Sequence, residues 1–215
     1  ARRPRWALVL AVACLIPAAP PQGLVVSFPA IGQGSSPLIE WPDGRRWLFD
    51  GGTPSVRLLR WLRRRGIRHL DKVILSHAHP DHLGGLGPVL RELEVDTLWA
   101  PERPAQDGGA FFRLWRDAAQ RGVDLRVAGD PGPRFVHPPP DWEPRARRRL
   151  NERSLVLRIT HGAHSFLFTG DIEAEAEARL AGKLQKTTVV QVPHHGSRTS
   201  SSPALVDALD PQWAV

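Results

Sequence analysis

The chain has 215 residues, enough for one domain with a real core but not for that domain and a membrane channel together. Its formal charge is +7 and almost all of the excess is arginine, a balance that favours polyanions, either nucleic acid or the anionic face of a membrane. The single cysteine, Cys14, lies in an apolar stretch, which excludes a disulfide framework and thiolate metal ligands for the folded part, and the absence of methionine leads to the expectation of a fragment.

Arg2, Arg3 and Arg5 precede an almost wholly apolar run, 6–19, closed by Pro20 and Pro21. The run is shorter than the roughly 20 residues that a spanning helix needs. A basic start, a short apolar region and Ala18-Ala19 near a cleavage point would suit a signal peptide. The preferred reading is the end of a transmembrane helix or a membrane-proximal linker over 1–23, with the domain over 24–215. Strand-like runs follow at 24–27, 38–41, 47–49, 73–76, 97–100, 125–127, 155–160, 165–169 and 188–192. Helical patterns fill the gaps at 54–65, 87–92, 111–121 and 174–180, and 131–144 reads as a loop. In the first helix Val56, Leu58, Leu59, Trp61 and Leu62 make one face and Arg57, Arg60 and Arg64 the other, a charged face best read as solvated. His69 reads as the surface end of a basic helix, and the chain ends at Gln212-Trp213-Ala214-Val215 in the beginning of a strand. This pattern makes the fold class α/β.

The chemistry concentrates at strand ends. Directly after Val73-Ile74-Leu75 comes SHAHPDHLGG, which places His77, His79, Asp81 and His82 within six residues on the loop leaving a buried strand. A chance polar loop is a poor account of four ligand-type groups at that spacing, and imidazole with carboxylate suits zinc, manganese or iron. Asp171 follows the strand ending in Phe168, and His194-His195-Gly196-Ser197 follows the strand ending in Val192-Pro193, so three strand ends present ligands. His161 and His164 flank Gly162 in a hairpin turn and read as surface. Arg145, Arg147, Arg148, Arg149 and Arg153 form a basic cluster in a Pro-rich loop, the better of the two arginine clusters for contacting phosphate.

The HxHxDH loop, the later Gly-Asp and the late histidine resemble the metallo-β-lactamase superfamily. The blocks Ile31-Gly32-Gln33-Gly34, Pro42-Asp43-Gly44, Asp50-Gly51-Gly52, NERSLVL over 151–157, TGDIEAEAE over 169–177 and VPHHGSRTSSS over 192–202 narrow it. They resemble the C-terminal domain of ComEC-type competence proteins, the inner-membrane DNA-uptake channels of bacteria, from about Leu24 to the end. The resemblance implies a four-layer αββα sandwich with the ligand loops along one edge. It also implies two divalent metal ions, manganese or zinc with magnesium possible, roughly 3.5 to 4 Å apart and clamping the attacking and leaving oxygens of a phosphodiester. His77 and His79 would hold the first, Asp81 and His82 the second, and Asp171 would bridge them. One of His194 and His195 would complete the second site while its neighbour stabilises the leaving group or binds a phosphate oxygen; His194 is taken as the ligand, and His195 with Asp81 as catalytic. Asp50 would orient a ligand histidine, and Ser197 would support the site.

Two positions depart from the pattern. Many superfamily members place a further histidine on the first metal between HxHxDH and Gly-Asp, where this chain has Asn151, as ComEC-type domains do. An amide oxygen there favours manganese or magnesium over zinc, and His137 is an outside candidate for the missing ligand. Ala30 and Ser35 stand where the competence family usually has acidic residues. The function so implied is hydrolysis of the non-transported DNA strand during natural transformation, by a domain on the outer face of the inner membrane. Its partners would be DNA, single-stranded in the first instance, the channel part of the same polypeptide and other competence proteins. A phosphodiesterase acting on a small or wall-linked ester, such as phosphocholine on teichoic acid, fits the HHGS block, and a non-catalytic DNA-guiding module fits the basic charge.

Overall fold

The computed structural model describes residues 20–32, 34–139, 142 and 150–215. The apolar run of 1–19 and the arginines Arg145, Arg147, Arg148 and Arg149 lie outside the described residues. Strands β1 (Val25–Ser27), β2 (Leu38–Glu40), β3 (Arg46–Phe49), β4 (His69–Ile74), β5 (Glu94–Ala100) and β6 (Asp124–Val127) form one sheet in chain order. It is antiparallel from β1 to β3 and parallel from β3 to β6. A second sheet has the order β11-β10-β9-β8-β7, built from β7 (Phe135–His137), β8 (Val156–His161), β9 (His164–Phe168), β10 (Val189–Val190) and β11 (Trp213–Ala214). Its β7, β8 and β9 are antiparallel, while β9, β10 and β11 are parallel.

Successive side chains of a strand point to opposite faces, and here both faces are apolar, so each sheet is covered on both sides. Leu38, Leu48 and Val73 enter a core with Leu58, Leu59 and Leu62 of α1 (Arg57–Arg64), Leu86, Val89 and Leu90 of α3 (Leu86–Glu92), and Leu114 and Ala118 of α4 (Ala110–Gln120). Their neighbours Ile39, Phe49 and Ile74 enter a second core with Leu157, Ile159 and Phe168 of the other sheet. The far face of that sheet, with Val156, Leu167 and Val190, packs on Ala176 and Leu180 of α5 (Ala174–Ala181) and on Leu205 and Leu209 of α6 (Pro203–Leu209). The result is the αββα sandwich. The arginine face of α1 is exposed as expected, and Arg63 pairs with Glu92 across 2.6 Å at the surface, an interaction worth about 0 to 1 kcal/mol.

Several elements differ from the sequence expectation. The helix expected over 54–65 starts at Arg57, after bends at 53–56. His69 opens β4 instead of ending a helix, and its Nε2 lies 2.8 Å from Asp96 Oδ1 on β5. The loop expected at 131–144 contains β7, which pairs with β8 through Phe135 and His137. Two helices had no periodic signal. The four residues of α2 (Pro80–Leu83) are too few for one. Helix α6 follows a local start signal instead, with Pro203 in its first turn and Ser202 Oγ accepting from the Leu205 amide at 3.4 Å.

The ligand-bearing strand ends meet along one edge because β3 and β4 run parallel in one sheet and β9 and β10 run parallel in the other. Close approach of the sheets at that edge depends on Gly170. It has φ +53°, and an added Cβ would stand 2.8 Å from Ser76 Cβ and 2.9 Å from Ser154 Cβ. Gly170→Ala is therefore expected to cost roughly 2 to 4 kcal/mol, from left-handed strain together with overpacking. Denaturant unfolding checks this; an unchanged midpoint would mean that the two loops separate freely.

Candidate metal centre

Asp171 is the hub of the site. Its side chain is 3% exposed, and it stands at the end of β9 with its amide accepted by Ser154 Oγ at 3.2 Å. Asp171 Oδ1 lies 3.1 Å from His82 Nε2 and 3.7 Å from His195 Nε2. Asp171 Oδ2 lies 3.7 Å from His77 Nε2 and 3.8 Å from His194 Nε2. Each oxygen of one carboxylate thus faces its own pair of imidazoles.

Around Oδ1 the ligand-type atoms of Asp81, His82, Asp171 and His195 all lie within 4.8 Å of one another. His195 Nε2 is 3.2 Å from His82 Nε2 and 3.5 Å from Asp81 Oδ2. Around Oδ2, His77 Nε2 approaches His79 Nδ1 to 3.1 Å. Asp81 and His82 ride on α2, where Pro80 starts the turn, so what the sequence suggested as a loop is one helical turn. His194 and His195 both have left-handed backbones, with φ 47° and 51°. That conformation sends the two adjacent rings to different sides of Asp171, their centroids 6.4 Å apart. The structure thereby distributes the pair differently from the expectation, because it is His195, not His194, that joins Asp81 and His82.

The donor set around Oδ1, formed by Asp81, His82, Asp171 and His195, fits a divalent ion. Asp171 Oδ1 is buried with no hydrogen-bond partner, although ring nitrogens surround it. His77 Nε2 and His79 Nδ1 stand 3.1 Å apart, and His82 Nε2 and His195 Nε2 3.2 Å apart. These distances match the separation of about 3.3 Å between tetrahedral ligands that stand 2.0 to 2.1 Å from an ion. Behind His82, Asp50 takes the other ring nitrogen, with His82 Nδ1 2.8 Å from Asp50 Oδ2. Asp50 is fully buried and is itself held by the Ser76 amide at 2.6 Å and Ser76 Oγ at 2.7 Å. Burial works against charge on His82, but the attraction of Asp50 and Asp171 prevails and lifts it to about 10. His77 has no such excess of negative neighbours, and burial drives it well below the usual histidine range.

Asn151 sits on a 3-10 turn over Asn151–Arg153, donates through Nδ2 to Glu173 Oε1 at 3.4 Å and leaves Oδ1 buried without a partner. Ser197 Oγ lies 3.0 Å from Thr199 Oγ1, which in turn lies 3.4 Å from His194 Nδ1. Arg153 pairs with Glu102 at 2.7 Å. Ser35 lines a cavity of about 400 Å³ with His195, while Ala30 is exposed. His161 and His164 face each other across the β8–β9 hairpin, both exposed. A second trio that could hold a cation, His69, Asp71 and Asp96, lies at the opposite end of β4, with Asp71 already accepting from the Arg46 amide at 2.6 Å. Glu173 went unnoticed in the sequence, although it stands two residues after Asp171 inside the TGDIEAEAE block. Its carboxylate lies 3.2 Å from His194 Nδ1 and accepts from Thr199 Oγ1 at 2.9 Å.

His137 is not part of this centre, which corrects its reading as an outside ligand. Its ring is fully buried against Trp142, with Nε2 2.7 Å from the Glu152 carbonyl oxygen. Burial pushes it down from 6.5 to about 4. Unfolded chains therefore bind a proton that the fold refuses between those values, and stability falls as pH drops through that window. The loss by pH 4.5 should reach about 2 to 3 kcal/mol. His137→Gln, which keeps a donor for the carbonyl, should flatten this part of the profile in denaturant titrations at pH 7.5 and 4.5; identical profiles would exclude His137 as its source.

Comparison with known proteins agrees with this fold. The family model of the metallo-beta-lactamase superfamily matches residues 30–212. The chain is 32% identical over 194 residues to "Recombination protein 2" of Haemophilus influenzae, covering 86% of this chain and 23% of that protein. It is 32% identical over 196 residues to "Competence protein ComA" of Neisseria gonorrhoeae, covering 86% and 25%. The chain thus spans about a quarter of the length of these curated relatives. Among solved structures, MEM-A1, a subclass B3 metallo-beta-lactamase from a soil metagenome library, superposes with a TM-score of 0.51 at 17% identity, covering 82% of this chain and 81% of that one, a likeness of fold. With the fold and the family match in agreement, the chain belongs to the metallo-beta-lactamase superfamily.

Proposed function

We propose that this chain is a two-metal phosphodiesterase that cuts DNA, working as the hydrolytic domain of a bacterial DNA-uptake channel. The observation that carries the reading is the division of Asp171 between two ligand sets, Oδ1 toward His82 and His195, Oδ2 toward His77. Manganese or zinc ions held there would polarise a phosphoryl oxygen and stabilise the attacking and leaving oxygens of an in-line displacement. His77 and His79 would hold the first, and Asp81, His82 and His195 the second, with Asp171 shared.

The protein's own groups then divide the remaining work. Asp81 is 39% exposed where Asp171 is 3%, so it is the carboxylate with room to meet an attacking water and accept its proton. His195, 37% exposed, stands at the same opening, beside the place where a leaving oxygen would depart. A cavity of about 650 Å³ lined by His79, Asn151, Glu173, Arg198 and Thr199 leads in, and exposed Arg198 brings a cation to its rim for phosphate. The net charge of +7 favours a polyanion, and the two relatives named for recombination and competence favour DNA as that polyanion.

The same reading puts residues 1–23 at the end of a transmembrane helix and the domain on the outer face of the inner membrane, degrading the strand that is not transported. Among the described residues no helix is long and apolar enough to cross a membrane. The test is cleavage of end-labelled single- and double-stranded DNA by the full chain, metal-stripped and then supplied with manganese, zinc or magnesium. Metal-dependent cutting that Asp81→Ala lacks is the expected result. Salt-sensitive DNA binding with no turnover under any metal would replace the nuclease by a DNA-guiding module.

A further inference from the structure

We propose that His194, oriented by Glu173, is the third imidazole of the first metal site, so that the adjacent pair His194-His195 delivers one ring to each ion. This rests on the two-metal reading and fills the position that Asn151 leaves open. Three observations carry it. The first is direction: His194 Nε2 faces Asp171 Oδ2 at 3.8 Å, the oxygen that His77 Nε2 also faces at 3.7 Å, whereas His195 faces Oδ1.

The second is the backing of the ring. Glu173 Oε1 lies 3.2 Å from His194 Nδ1, which fixes the tautomer with the proton on Nδ1 and the lone pair on Nε2. Asp50 does the same for His82 on the other side, across 2.8 Å. The two carboxylate–imidazole pairs flank Asp171 as counterparts, each placing an Nε2 against a different oxygen of it. Glu173 is in turn positioned by Thr199 Oγ1 at 2.9 Å and by Asn151 Nδ2 at 3.4 Å. Asn151 is thereby assigned a positioning role through Glu173, in place of the ligand role that its sequence position suggested.

The third is the backbone. Consecutive non-glycine residues in the left-handed region are disfavoured, and such strain persists only where the surroundings over-determine it. At His194 and His195 it separates two neighbouring rings that would otherwise crowd one ion. The His194 amide is accepted by the Gly170 carbonyl at 3.2 Å, which ties the turn to the loop that carries Asp171.

The test is metal content and spectrum, independent of turnover. The full chain, stripped by chelation and equilibrated with manganese alone, is expected to hold two ions per chain with the electron paramagnetic resonance of an exchange-coupled pair. His194→Ala should hold one ion at the same free manganese, with an uncoupled signal. Adding His77→Ala to it should cost no further ion, whereas adding His195→Ala should remove the second. Glu173→Gln, which keeps the volume, should weaken one of the two sites by 10- to 100-fold with the other unchanged. It serves as the test should His194→Ala fold poorly. Two tightly held, coupled ions in both His194→Ala and Glu173→Gln would overturn the proposal. Absence of manganese, zinc or magnesium binding by the parent chain would overturn the two-metal reading beneath it, a failure distinct from the first.

Discussion

On the proposed two-metal reading, Asp171→Asn is expected to abolish hydrolysis and to release both metal ions while leaving the fold in place. Asparagine matches aspartate in volume, so the buried packing at the end of β9 survives, and the Ser154 contact to the Asp171 amide does not involve the side chain. What changes is charge and polarity at a point with four ring nitrogens within 3.8 Å. An amide gives one acceptor and one donor where two acceptors stood, so one of the two ligand sets meets an N–H instead of a lone pair. Several kcal/mol of charge stabilisation go with the ions, which corresponds to a loss of turnover of at least about 1,000-fold. Metal analysis alongside a cleavage assay reads both effects. A variant that kept both ions and full activity would show that Asp171 is not shared between them, and loss of folding in the metal-free variant would assign Asp171 to the core.

How much of this was legible in the sequence follows from what each feature depends on. The strands were readable because their apolar residues are buried on both faces: Leu48 with Phe49 and Val73 with Ile74 serve cores on opposite sides of one sheet. The cluster of ligand-type side chains was readable because His77, His79, Asp81 and His82 are close in the chain and follow such a strand. The division between His194 and His195 was not, since neighbouring residues of one type are distinguished only by backbone angles, here two left-handed residues in succession. Glu173 passed as an ordinary acidic residue before a helix, and only the fold brings Thr199 and His194 to it from the far side of β10. His137 misled for the converse reason. A histidine before prolines looks available, yet it is a fully buried strand residue that bonds the Glu152 carbonyl.

Asp50→Asn would separate the two proposed metal sites by experiment. Asp50 touches no substrate-facing group; it is fully buried, with φ 63°, and its carboxylate receives the Ser76 amide, Ser76 Oγ and His82 Nδ1. Burial raises the Asp50 pKa against the pull of His82, and the charge of the pair is kept by the proton on His82, lifted to about 10. In the variant the amide oxygen can still accept from the Ser76 backbone, which leaves the amide NH2 toward His82. His82 Nδ1 must then become an acceptor, and its proton moves to Nε2, the atom that faces Asp171 Oδ1 at 3.1 Å. A ring protonated there cannot be a ligand. Affinity for the second ion should fall 10- to 100-fold, about 1.4 to 2.7 kcal/mol, with the first ion retained. Metal-free stability should fall by about 3 kcal/mol, because one partner of a buried pair has been removed. Manganese titration and denaturant unfolding measure the two effects separately. A wild-type second affinity despite reduced stability would mean that Asp50 shapes the backbone at the end of β3 without setting the His82 tautomer, while loss of both ions would mean that the sites fill only together.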